Sequence, residues 1–109
     1  MTPLDRTFGA LADPTRRAIL VRLARGEATV GELAEPFDIS LPAISRHLKV
    51  LERASLISNE RTGKQRRCRL RPEALTSAQD WLDFNRRFWS GSFERLASHL
   101  RNAPGVNKK

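Results

Sequence analysis

Several residue types that build catalytic and covalent sites are scarce in this sequence. Its 109 residues include one cysteine and two histidines. The single cysteine, Cys68, cannot form an intrachain disulfide, which agrees with a reducing compartment. An enzyme needs a nucleophile with its base, a carboxylate pair or a metal site, and this inventory suggests none of them. We therefore expect a protein that is not an enzyme and that holds no metal and no cofactor.

Long apolar runs and targeting signals are also missing. No stretch reaches the roughly 18 apolar residues of a membrane-spanning helix. The first residues include acidic side chains and do not follow the order of a signal or transit peptide. We expect a cytoplasmic protein with no membrane partner. Its length and its 39% hydrophobic residues predict one domain over residues 1–103, followed by a disordered tail at 104–109.

Acidic residues are rare in one part of the chain. The net charge is +8, and residues 41–71 hold nine basic and only two acidic side chains. Such a concentrated positive field attracts polyanions or acidic membrane surfaces, although a run of charge can also be a merely solvated face. The structure around this segment decides between the two interpretations.

Four helix starts share a hydroxyl or carboxyl side chain placed to cap the first turn, and these are Thr2, Asp13, Thr29 and Ser40. Gly26 is a stop signal for the second helix, and Pro36 for the third. The fourth helix is predicted over 41–54. A short third helix, a tight turn and a longer fourth helix form the helix-turn-helix pattern.

After the fourth helix, the sequence pattern changes from helical to that of extended strands. Residues 57–70 predict a β-hairpin with Gly63 in its turn and with Cys68 and Leu70 facing inward. Pro72 opens a long C-terminal helix. The predicted fold class is mainly α with a small β-hairpin (α+β): a winged helix-turn-helix with helices 1–4, a two-stranded wing and a long last helix.

The last helix carries more apolar surface than one small domain can cover. Leucine and tryptophan recur at intervals of seven, and a second stripe lies on another face; the two sets are Leu75, Leu82, Trp89 and Leu96, with Ala78, Phe93 and Leu100 in the same stripe, and Trp81, Phe84 and Phe88. We expect a second copy of the chain to cover the excess, although both stripes could be intramolecular core. Gly91 weakens a helix by about 1 kcal/mol relative to alanine, so we expect a kink or a break there.

The fourth helix has one apolar and one cationic side. Leu41, Ile44, Leu48 and Leu51 share the first, whereas Pro42, Arg46, Lys49 and Arg53 share the second. Small residues near the start allow a close approach to bases in the major groove of DNA, and arginine can bond guanine with a bidentate fork. The predicted base-reading residues are Pro42, Ala43, Ser45, Arg46 and Lys49.

The hairpin adds cations at its tip and on its arms. They can hold the DNA backbone or enter the minor groove. The predicted backbone and wing contacts are Ser40, His47, Arg53, Arg61, Lys64, Arg66 and Arg67. For His47, packing or a phosphate contact is favoured over base reading, and for Arg53 plain solvation is the alternative. The predicted function is a sequence-specific regulator of transcription that binds double-stranded DNA. A winged-helix module that binds protein or RNA is the alternative.

Four segments resemble the ArsR-type (arsenic repressor-like) winged-helix regulators, and they are residues 11–20, 30–34, 40–51 and 63–67. The resemblance extends over about residues 4 to 100. It implies a homodimer built mainly from the first and last helices, bound to a palindromic or near-palindromic operator, usually as a repressor that a signal releases. The implied dimer interface comprises Leu4, Phe8, Trp81, Phe84, Phe88, Trp89, Phe93 and Leu96.

The chain also departs from the family pattern. Thr29 and Gly31 stand where metal-sensing members often carry a Cys-x-Cys pair, and His99 has no neighbouring ligand set. Many members have a glutamine at the position of Leu41, so the resemblance does not imply the same base contacts at that position. Cys68 at an inward strand position is most simply a small apolar filler, with redox sensing as the alternative. The effector therefore remains unknown.

Overall fold

A computed structural model describes residues 2–102 of the chain. Five helices and three strands alternate in the order α1 (Pro3–Leu11), α2 (Pro14–Leu23), β1 (Ala28–Thr29), α3 (Val30–Ala34), α4 (Leu41–Arg53), β2 (Ile57–Thr62), β3 (Gln65–Leu70) and α5 (Glu73–Asn102). The predicted winged helix-turn-helix is confirmed. The tail at 104–109 lies outside the described residues.

The predicted helix caps form. Ser40 Oγ accepts a hydrogen bond from the Ala43 amide at 3.3 Å, which fixes the first turn of α4. Thr29 and Glu32 make a reciprocal capping box at the start of α3, with distances of 2.8 and 3.1 Å. Each cap satisfies amide donors that the first turn of a helix leaves without a partner. The residue at which α4 begins is therefore fixed by a hydrogen bond between near neighbours in the chain.

The wing, formed by β2 and β3, is part of a three-stranded antiparallel sheet in the order β1-β3-β2. Strands β2 and β3 pair from Ile57↔Leu70 to Thr62↔Gln65, and Gly63 closes their turn at a φ of 64°, in the left-handed region that favours glycine. The prediction did not include β1, which adds the pair Ala28↔Cys68 to the other edge of β3. Two residues are too few to show an alternating pattern.

Among the described residues, those up to Ala78 form one compact unit, and residues 79–102 form a second. In the first unit, the core is built by large side chains that are almost completely buried, namely Ile19, Leu33, Ile44, Leu48, Leu51, Leu56 and Ile57. They come from α2, α3, α4 and the start of the wing. Because α4 supplies three of them, this core holds the helix firmly along one side.

The second unit is the continuation of α5. The helix runs without interruption from Glu73 to Asn102, so the break expected at Gly91 is wrong. One glycine costs about 1 kcal/mol relative to alanine, which helical turns on both sides can offset. In the described part of the chain, no helix combines the length and the apolar character needed to span a bilayer.

Candidate nucleic-acid interface

Helix α4 separates a buried side from an exposed side. Ile44, Leu48 and Leu51 are at most 1% exposed, whereas Arg46 and Lys49 lie on the exposed surface. Of the other predicted base-reading residues, Pro42 and Ser45 are exposed, and Ala43 is half-buried. The core therefore fixes the axis of the helix while its cations stay accessible.

Leu41 corrects the sequence analysis. It was expected to anchor the helix together with Ile44, but 58% of it is exposed. Leu41 is the first residue of α4, and the packed core begins only at the next turn. Helical periodicity shows on which side of a helix a residue lies, but it does not show how far along the helix the packed core extends.

The wing presents cations around its turn. Arg61, Lys64 and Arg66 are exposed, and Arg61 Nε donates a hydrogen bond to the carbonyl oxygen of Gly63 at 3.3 Å. Within residues 2–102, Lys64 and Arg66 form no ion pair. Their positive charge is therefore available to an external anion.

Arg67 is in a different environment. Its Nη1 lies 3.7 Å from Oε1 of Glu27, whose Oε2 accepts a hydrogen bond from Arg69 at 3.2 Å. One carboxylate thus partly offsets two of the wing cations. Sequence reasoning missed Glu27 because it precedes β1, whose pairing with β3 was not predicted.

His47 packs against the start of α2. Its Nδ1 lies 3.2 Å from Nη1 of Arg16 and 3.8 Å from Oδ2 of Asp13. Because a guanidinium can only donate, Nδ1 must accept this hydrogen bond, which leaves the proton of the neutral ring on Nε2. Packing, one of the roles considered for His47, is therefore present, and a phosphate contact stays a prediction.

Arg16 is the structural residue that sequence reasoning missed. Its guanidinium also donates to the carbonyl oxygens of Ala10 and Gly9, at 2.8 and 3.2 Å. It thereby ties the end of α1 to the middle of α4. The Arg16 amide donates to Asp13, and this hydrogen bond holds the pKa of the Asp13 carboxyl below its ordinary value, assisted by the positive charge of the Arg16 guanidinium.

Arg53 is the last residue of α4, and it is exposed. It lines a surface depression together with Arg6 and Arg71. Both roles predicted for it, a phosphate contact and plain solvation, agree with this position.

The expected dimer residues fall into two groups. In the first unit, Leu4 and Phe8 are half-buried. In the second unit, all six apolar residues are between 44% and 67% exposed, and these are Trp81, Phe84, Phe88, Trp89, Phe93 and Leu96. The rings of Phe88 and Trp89 meet edge to face at 5.4 Å, and those of Trp89 and Phe93 stack at 5.8 Å.

The two residues considered for sensing, Cys68 and His99, lie in different environments. Cys68 is completely buried, and burial raises the pKa of its thiol to about 11. A neutral, inaccessible thiol is the apolar filler that the sequence predicted. His99 is exposed near the end of α5. Between Thr2 and Asn102, no group of three or more His, Cys, Asp or Glu residues is placed to hold a metal ion.

Comparisons with known proteins agree with this architecture. A helix-turn-helix domain model matches residues 11–59. The chain is 48% identical over 86 residues to the HTH-type transcriptional regulator Rv2034 of Mycobacterium tuberculosis, covering 79% of this chain and 78% of the relative. It is 40% identical over 79 residues to the transcriptional repressor SdpR of Bacillus subtilis, covering 72% of this chain and 88% of that protein.

A solved structure extends the agreement to three dimensions. The crystal structure of an ArsR family transcriptional regulator superposes with a TM-score of 0.77 at 44% identity, covering 81% of this chain and 91% of that one. The family consists of transcriptional regulators rather than enzymes, and in helix-turn-helix proteins the second helix of the motif is the one that enters the major groove of DNA. The chain belongs to the ArsR family of winged helix-turn-helix transcriptional regulators and is a DNA-binding protein.

Proposed function

We propose that the protein is a repressor that binds a palindromic or near-palindromic operator as a homodimer, with residues 1–103 forming the DNA-binding and dimerisation domain. The observation that carries this proposal is the division of α4, whose Ile44, Leu48 and Leu51 are buried while Arg46 and Lys49 are exposed. A helix held in this way can enter a major groove without rearrangement.

In the proposed complex, α4 reads the bases. Arg46 lies near the middle of the exposed side, where a guanidinium can bond O6 and N7 of a guanine. Lys49 lies about one turn further on, and Ser45 flanks both. Pro42 and Ala43 have short side chains, which lets the backbone at the start of α4 approach the base edges closely.

Cations around this helix hold the DNA backbone. We assign the strongest contacts to Lys64 and Arg66, which form no ion pair within residues 2–102. Arg67 contributes less because Glu27 lies beside it. The other proposed backbone contacts are Ser40, His47, Arg53 and Arg61. His47 can donate from Nε2 without losing its hydrogen bond to Arg16.

The proposed dimer uses the apolar surface of α5. At about 100° per residue, the six proposed interface residues of α5 fall within about 180° of the helix circumference. A cluster of large exposed apolar residues on one side of a helix is typical of a protein–protein interface. A second copy can cover it symmetrically, with Leu4 and Phe8 of α1 joining the interface.

Repression is the regulatory outcome that the relatives favour. SdpR of Bacillus subtilis is named a transcriptional repressor, and an arsenical resistance operon repressor of Escherichia coli is 34% identical over 101 residues. A repressor needs only to occupy its operator. We assign no effector, because Cys68 is buried and the two histidines do not lie in a cluster of ligands.

The proposal is tested by selecting bound fragments from random duplex DNA and then titrating the full-length protein with three probes. These are the selected duplex, the same base composition in scrambled order, and double-stranded RNA. Specific recognition typically exceeds nonspecific binding by a factor of about 10³ or more at physiological salt. Equal affinity for the three probes would reduce the activity to nonspecific polyanion binding.

A further inference from the structure

An exposed leucine lies where the winged helix-turn-helix should be most polar. Leu41 is the first residue of α4 and is 58% exposed, although the next apolar residue of the same helix side, Ile44, is completely buried. The charged residues around it are accessible as well. An apolar side chain inside a surface built to bind a polyanion requires an explanation.

Leu41 lines a groove between the start of α4 and the wing. Ser45 of α4 and Lys64, Gln65 and Arg66 of the wing line the same groove, together with the start of α3 at residues 29–31. Lys64 and Arg66 give the groove a positive edge. A DNA strand whose phosphates contact these two cations would pass close to Leu41.

The position of Leu41 along the helix matters too. Recognition helices contact base edges mainly with their N-terminal residues, and Leu41 is the first helical residue. The Ser40 side chain accepts a hydrogen bond from the Ala43 amide, which fixes the start of the helix. The Leu41 side chain therefore stands on a backbone that the cap holds in place.

One base-edge group in the major groove is apolar. The C5-methyl group of thymine projects into the groove, whereas the other base-edge groups there are hydrogen-bond donors or acceptors. Leucine cannot satisfy a donor or an acceptor, and covering one with it would cost free energy. Contact with a methyl group removes apolar surface from water on both sides.

We infer that Leu41 is a specificity-determining residue that reads the C5-methyl group of a thymine in each half-site of the operator. This inference rests on the proposed function, since it requires α4 to lie in the major groove. It adds an apolar reading contact to the polar ones assigned to Arg46 and Lys49.

The test uses the selected duplex with deoxyuridine in place of each thymine in turn, which removes one methyl group and leaves base pairing and charge unchanged. One thymine position of the half-site should be sensitive. Replacing that thymine in one half-site should lower wild-type affinity about fourfold, and replacing it in both half-sites about 15-fold, as expected for about 0.8 kcal/mol per buried methyl. The Leu41→Ala variant should lose most of this sensitivity. Its salt dependence should match that of wild type, because the variant keeps every cation that neutralises a phosphate.

The matched control is Ile39→Ala, which removes another exposed apolar side chain, 40% accessible, from the turn before α4. This variant should remain as sensitive to deoxyuridine as wild type. The inference is overturned if the selected half-site contains no thymine, or if deoxyuridine weakens wild type and Leu41→Ala equally at every position. Either result can occur while the protein still prefers the selected duplex over the scrambled one, so it is distinct from a failure of the proposed function.

Discussion

The two units of the chain use the same kinds of apolar residue in opposite ways. Up to Ala78, Leu33, Ile44 and Leu48 are almost fully buried against their own chain. Beyond Gln79, Trp89 and Phe93 leave half or more of their surface exposed. Hydrophobic patterning thus identifies a face that must be covered, but it does not say which molecule covers it.

The largest expected effect follows from placing a charge on the exposed face of α5. Trp89→Asp should shift the protein from dimer to monomer, because a carboxylate buried in an apolar interface has no partner there. Operator affinity should then fall by about 10² or more, since two linked half-site contacts become independent. Sedimentation velocity and operator titration measure the two effects.

Ser90→Asp is the matched control for that variant. It adds the same charge one residue away, on the polar side of the same helix, and should leave the mass and the affinity unchanged. If Trp89→Asp folds and remains dimeric while Ser90→Asp behaves like wild type, Trp89 is not part of the interface.

A smaller effect is expected on the cationic side of α4. Arg46→Ala should weaken operator binding by about 1 to 3 kcal/mol and blur the preference at one base position in each half-site. Repeating the duplex selection with the variant measures both. Arg53→Ala, at the end of the same helix, should leave the preference intact, and an unchanged preference in Arg46→Ala would remove that residue from base reading.

The wing should affect all duplexes alike. Lys64→Ala or Arg66→Ala should lower the slope of log affinity against log salt by about 0.9 for every phosphate that the variant no longer neutralises. Arg69→Ala is the control, because its guanidinium is already bound to Glu27, and it should change the slope less. A slope that stays constant in Lys64→Ala and Arg66→Ala would place the wing away from the backbone.

The last prediction concerns the stability contribution and the reactivity of Cys68, the buried cysteine of β3. Since the pKa of Cys68 rises from 9.0 to about 11 on folding, the thiol stays neutral in the folded chain, and its contribution to stability is lost only as pH rises from 9 through 11. Alkylation by iodoacetamide at pH 8 should be about 100-fold slower than in the unfolded chain. Comparable rates would mean that Cys68 is accessible in the native state.

The parts of the fold that sequence analysis predicted correctly depend on neighbours along the chain. Ser40 caps α4 through an amide three residues away, and Gly63 closes a turn within one hairpin. The missed interactions join distant segments: Arg16 reaches His47 on another helix, and Glu27 reaches Arg67 and Arg69 through β1. No local pattern contains those pairings.

The same distinction explains Leu41 and Gly91. Helical periodicity placed Leu41 on the apolar side, but only the folded unit reveals that the core begins a turn later. The intrinsic weakness of Gly91 favoured a break, yet α5 continues through it. At Gly91, the helix as a whole overrides a local preference that is worth about 1 kcal/mol.

The most direct test of the proposed dimer on DNA changes the distance between the two half-sites of the selected operator. Two copies of the surface formed by α4 and the wing, related by a two-fold axis, should fit half-sites that lie about one helical turn apart on one side of the duplex. Inserting about 5 base pairs between them, or half a turn, should weaken wild-type binding by about 10² or more and leave the affinity close to that of the monomeric Trp89→Asp variant. Unchanged affinity after the insertion would contradict the proposal, because binding by a symmetric dimer that engages both half-sites together depends on their spacing.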